Sequence, residues 1–181
     1  MMQTVNLRGL AAMNFRSTQR GFTLIEMIVA IGIISITAII AVPSLTQFVN
    51  SNRLNRTKIM LASDINAARS EAIKTNARYA ICPANAAQTN CSTTTNWAIA
   101  GWLVCPASGV SATASCNTAQ SAVVVRPAVG NNITMTASTA NGVIFRSIGA
   151  AAAPQTITVT GATGTTPGSV AVAITGAVST Q

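Results

Sequence analysis

The chain has no histidine, and only three of its 181 residues are acidic: Glu26, Asp64 and Glu71. From Tyr79 to Gln181 there is no carboxylate side chain at all, and the only charged side chains are Arg126 and Arg146. General acid–base or nucleophilic catalysis needs titratable groups converging on a pocket. With Asp64 and Glu71 expected on the exposed face of a helix, these absences argue against an enzyme, and neither a cofactor nor a small-molecule substrate is expected. The lack of histidine also narrows the metal chemistry. Structural zinc held by cysteine usually shows close C-x2-4-C pairs, whereas Cys82, Cys91, Cys105 and Cys116 are separated by eight, thirteen and ten residues. Disulfides are the preferred reading, and no metal is expected.

Charge is also missing from Met27 to Asn52, a run of 26 residues. As a helix rising ~1.5 Å per residue, this run is longer than a ~30 Å hydrocarbon core is thick. It can therefore cross a bilayer. Glu26 stands at its start, and an ionised carboxylate there costs several kcal/mol unless it is paired. A cut after Gly21 would make Phe22 a new amino terminus, whose cation could meet Glu26 of the same chain or of a neighbour. The plainer alternative is an ordinary acid at headgroup level.

Gly21-Phe22-Thr23-Leu24-Ile25-Glu26, preceded by Arg8, Arg16 and Arg20 and followed by Pro43, resembles the class III signal of type IV pilins and type II secretion pseudopilins. The resemblance implies a leader over 1–21 and cleavage between Gly21 and Phe22 by a prepilin peptidase on the cytoplasmic side. It also implies N-methylation of Phe22, and a Glu26 that engages a neighbouring subunit's terminus and sets filament register. A secretory signal fits worse, because its apolar region would be removed rather than retained. Met13 would give a shorter leader that keeps Arg16 and Arg20, so both Met1 and Met13 stand as possible starts.

Removing 1–21 leaves 160 residues, enough for one anchoring helix and one head domain. That remainder carries eight basic and three acidic side chains, a net +5, with six of the basic ones between Arg53 and Arg78. Arginines flank the apolar run on both sides, so positive-inside counting leaves its orientation open. The four cysteines all lie C-terminal to it, an even number suited to an oxidising compartment. This places the head in the periplasm and the anchor in the inner membrane, with the unprocessed N-terminus cytoplasmic. Three pairings are open; the short sequential loops Cys82–Cys91 and Cys105–Cys116 are favoured, because each closes over sequence with little apolar content.

The segments expected are a membrane or filament-core helix over 22–49, its periplasmic continuation over 50–78, and a β-rich head over 79–181. Pro43 removes a backbone donor and is expected to kink the helix near the membrane surface. Beyond it, Leu54, Leu61, Ile65, Ala68 and Ala72 form a stripe that should pack on a sheet, opposite a wet face with Arg56, Ser63, Ser70 and Lys74. Strand signals fall at 79–82, 102–105, 123–126, 133–136 and 143–146, and a last hairpin pairs Ile157 and Val159 with Val170, Val172 and Ile174. Trp97, Trp102 and Phe145 read as sheet core. The fold class is α+β.

Cys82-Pro83, Cys91, Trp97, Gly101-Trp102, Gly142-Val143-Ile144-Phe145 and Gly149 resemble the GspH/FimT family, in type II secretion and type IV pili. That resemblance implies a pilin-like fold and a minor subunit that initiates or caps a periplasmic filament. Its partners would be other minor and major pilins or pseudopilins, the prepilin peptidase and the inner membrane. The alternative is DNA capture in natural transformation, for which Arg69, Lys74 and Arg78 are the candidate contacts. The family's DNA-binding branch carries a Gly-Arg-x-Arg motif near its C-terminus. Here the corresponding stretch is Gly176-Ala177-Val178-Ser179, without either arginine, which weakens the alternative.

Overall fold

The computed structural model describes residues 21–108, 114–116, 121–130, 132–140 and 142–181. Leader residues 1–20, with the three arginines and both candidate starts, lie outside the described residues. One helix, α1 (Leu24–Lys74), precedes eight strands: β1 (Tyr79–Pro83), β2 (Trp102–Pro106), β3 (Val124–Arg126), β4 (Thr134–Ala137), β5 (Val143–Phe145), β6 (Gln155–Thr160), β7 (Gly168–Val172) and β8 (Val178–Thr180). The chain divides into two compact units, Met1–Ala41 and Val42–Gln181.

In the first unit, the described part of α1 is apolar on every side and wholly exposed, and α1 is long and apolar enough to cross a membrane. A helix that is apolar all round needs a bilayer or other helices to cover it. Its few hydroxyls are satisfied internally. Ser35 donates to the Ile31 carbonyl at 2.7 Å and Thr37 to the Ile33 and Ile34 carbonyls at 3.0 and 2.9 Å. Such back-bonding lets polar side chains sit in hydrocarbon without an unmade bond.

In the second unit, eight strands form two antiparallel four-stranded sheets, ordered β3-β2-β1-β5 and β4-β6-β7-β8. The α1 stripe Leu54, Leu61, Ile65, Ala68 and Ala72 is buried and shares one core with both sheets. Alternation along the strands decides which side chains reach it. Tyr79, Ile81, Trp102, Val104, Val143 and Phe145 enter this core, while Ala80, Cys82, Leu103, Cys105 and Ile144 enter a second cluster on the other face of the same sheet. Strands β1, β2 and β5 of the first sheet are thus buried on both faces, which is why they read as unbroken apolar runs, whereas the edge strand β3 is only half-buried. The second sheet has one wet face: β6 alternates buried Gln155, Ile157 and Val159 with exposed Thr156, Thr158 and Thr160.

Helix α1 stops at Lys74. Asn76 adopts φ 51°, and the amides of Asn76 and Ala77 donate to the Ile73 and Ala72 carbonyls at 3.3 and 3.2 Å. This is a Schellman stop with asparagine at the left-handed position. One expectation about the last hairpin needs correction: Ile174 is 60% exposed and lies outside β7. The stretch compared with the arginine motif leads into an edge strand, β8, whose Val178 pairs with Val172.

Candidate assembly site

At the start of α1, Thr23 and Glu26 cap the helix reciprocally. The Glu26 amide donates to the Thr23 hydroxyl at 3.3 Å, and the Thr23 amide donates to a Glu26 carboxylate oxygen at 3.5 Å. This is a capping box, legible in the sequence as Thr-x-x-Glu but not used in reading it. The carboxylate therefore has a partner within its own chain, besides any amine it would meet after cleavage. It also sits in the first turn, where the helix dipole favours negative charge. Phe22 is 76% exposed, and a Cβ on Gly21 would meet nothing within 4 Å. Pro43 lies inside α1, so the Ile39 carbonyl lacks its usual amide partner.

Asp64 is not on the wet face expected of it. It is 3% exposed and sits within the buried stripe, one residue before Ile65. Its Oδ2 accepts from Arg126 Nε at 2.8 Å and Trp102 Nε1 at 2.9 Å, and its Oδ1 accepts from Arg126 Nη2 at 2.9 Å. The two-pronged guanidinium contact and the indole together satisfy a charge that would otherwise be prohibitively buried. Strand pairing sets the node, since Trp102 on β2 is the direct partner of Arg126 on β3. A side chain on Gly101 (φ 79°) would strike the Arg126 carbonyl, so the approach of these strands requires glycine there. Hydrogen bonding to Asp64 raises the Arg126 pKa, with burial opposing it. Stability from a raised cationic pKa is lost only as pH climbs through it, so the pair is intact throughout the physiological range.

The cysteines are bonded as Cys82–Cys91 and Cys105–Cys116. Their four sulfur atoms lie within 4.8 Å of one another. The reason is strand parity: Cys82 and Cys105 point to the same outer face of neighbouring strands. Each bond brings a later cysteine, Cys91 or Cys116, back to that face, and Ala84, Ala114 and Cys116 complete the small second core.

The three cations singled out for DNA do not form one row. Five positions along a helix correspond to a turn of roughly 140° from Arg69 to Lys74, which sends them to different sides. Arg69 Nε is buried and unbonded, and side chains added at Gly149 or Gly176 would press on it at 3.2 and 3.1 Å. Lys74 lies 3.3 Å from Glu71, and Arg78 follows the helix stop on the approach to β1.

The family model described as type II transport protein GspH matches residues 60–177. This chain belongs to that family. A second model, the prokaryotic N-terminal methylation motif, matches residues 16–42. Among solved structures, the type IV minor pilin FimU of Pseudomonas aeruginosa strain PAO1 superimposes with a TM-score of 0.54 at 17% identity, over 72% of this chain and 89% of FimU. A second crystal form of FimU gives a TM-score of 0.49 at 17% identity, over 70% and 91% of the two chains. At that identity the likeness concerns the fold, and the pilin-like α+β expectation holds. No curated protein matches the chain. For this GspH-family member, the Asp64 node and both disulfides lie inside the matched 60–177 segment, and the capping box lies inside the methylation motif.

Proposed function

We propose that this protein is a minor pilin or pseudopilin that helps initiate or cap a periplasmic filament, for type II secretion or for type IV pilus assembly. The observation that carries the reading is an apolar helix left wholly uncovered at one end of a GspH-type chain and buried in a head at the other. Parallel copies of such helices cover one another in a bundle, while the heads meet neighbouring subunits. Processing between Gly21 and Phe22 supplies the amine, and Glu26 receives it from a neighbour. The anchor lies in the inner membrane and the disulfide-bonded head in the periplasm. Catalysis has no part in this function.

Mass spectrometry of the protein from native membranes tests this reading. The expected mature terminus is N-methylated Phe22. Gly21→Trp should leave full-length precursor in the membrane, and a normal mature terminus in that variant would exclude the processing signal.

DNA capture is the weaker reading, because Arg69, Lys74 and Arg78 are dispersed and Ala177 and Ser179 supply no charge. Full-length protein in detergent should show little duplex DNA binding at ~0.15 M salt, where counterion release has already weakened phosphate contacts. Submicromolar binding that is lost in Arg69→Gln/Lys74→Gln/Arg78→Gln would reverse this preference.

A further inference from the structure

Arg53 and Arg56 have no carboxylate to pair with. Of the three acidic side chains in the sequence, Asp64 is held by Arg126 and Trp102, Glu71 lies beside Lys74, and Glu26 belongs to the N-terminal cap. Both arginines are exposed, and together they border two recesses. One, of about 370 Å³, is walled by the arginines with Thr57, Val129, Asn132 and Ile133. The other, of about 430 Å³, is walled by the same arginines with Phe48, Val49 and Asn52. The two guanidinium groups thus stand between a recess lined by Phe48, Val49 and Asn52 towards the start of α1 and a recess lined by Val129, Asn132 and Ile133 of the head.

Chain length puts this pair at a defined depth. A bilayer with its headgroups is about 40–45 Å thick, or roughly 30 helical residues. Thirty residues counted from Phe22 end at Ser51, so Arg53 and Arg56 follow at the outer headgroup boundary. Along α1, apolar Phe48 and Val49 precede Arg53 and Arg56, the order of a glycerophospholipid read from acyl chain to phosphate.

We propose that Arg53 and Arg56 bind the phosphate of an anionic glycerophospholipid in the outer leaflet of the anchoring membrane. Phe48 and Val49 lie against its acyl end, and the exposed Asn132 faces its headgroup alcohol. The lipid supplies the negative charge that the chain itself lacks, and holds the head against the membrane surface before a subunit leaves for a filament. This inference rests on the membrane-anchored reading given above.

The test uses the full chain in vesicles of phosphatidylcholine mixed with phosphatidylglycerol, followed by mild detergent extraction and native mass spectrometry of retained lipid. Wild type should retain phosphatidylglycerol in preference to phosphatidylcholine. Each of Arg53→Gln and Arg56→Gln should lower that preference about fivefold, the change one basic side chain brings at an anionic membrane surface. Resistance to carbonate extraction should be unchanged. Inserted wild type with no lipid preference would overturn this inference alone, whereas extraction of the wild type by carbonate would remove the anchored reading as well. Displacement by inorganic phosphate would mark a free-phosphate site instead. A double variant that keeps its lipid preference but no longer crosslinks to neighbouring subunits would assign the arginines to a filament interface.

Discussion

Glu26→Gln is expected to insert in the membrane and to be cleaved after Gly21, yet to be lost from the filament. Glutamine can take the same place in the capping box with Thr23, so the helix start is preserved. What it cannot supply is charge. After cleavage the Phe22 cation lies at the positive end of the helix dipole, where its own chain disfavours it. A neighbour's carboxylate in a low-dielectric bundle offsets that cost, and leaving one ion unpaired there is worth several kcal/mol. Incorporation, read by crosslinking to other subunits in cells lacking the native copy, should fall by on the order of tenfold or more, since ~1.4 kcal/mol is already tenfold. Glu26→Ala should lose the same function and the cap besides. Full complementation by Glu26→Gln at native expression would assign the carboxylate to capping alone.

The second large effect is expected at the Asp64 node, and it should be asymmetric. The Arg126 side chain is 38% exposed and that of Asp64 only 4%. Arg126→Met strands a buried carboxylate with Trp102 as its only remaining side-chain donor among the described residues. Breaking a buried pair in this way costs about 3 kcal/mol, the lower end of the usual range because the arginine is partly solvated. In a domain of this size that is a fall of roughly 10 °C in Tm. Asp64→Asn should cost less, because its amide oxygen still accepts from Trp102 and the freed arginine can reach water. Asp64→Leu combined with Arg126→Met should recover much of the loss, since no charge remains buried. Thermal melts of the full chain in detergent, followed through near-ultraviolet circular dichroism, read all three variants. An unchanged Tm in Arg126→Met would show that the pair is not a stabilising contact.

Local chemistry in the sequence determined much of this molecule. A charge-free run after Glu26 specifies an uncovered helix whatever the rest of the chain does, and the spacing of Leu54, Leu61, Ile65, Ala68 and Ala72 specifies the face of α1 that is buried. Short β-branched and aromatic runs gave the strands, because period-2 alternation is a property of the strand itself. The Thr23 cap and the Asn76 stop are equally local, and both were readable. Tertiary structure alone decided the rest. Nothing near Asp64 reveals that a residue 62 positions later will reach it, and an isolated acid on a helix reads as solvated until β3 delivers Arg126. The meeting of four sulfurs depends on the register of β1 against β2 and on the return of Cys91 and Cys116 to the same face. Dispersal of Arg69, Lys74 and Arg78 follows from helical rotation and the packing of the Gly149 and Gly176 loops, neither visible in a count of charges. Periodicity reports which face a residue occupies; only long-range pairing, whose entropy cost the whole core must offset, reports what meets it there.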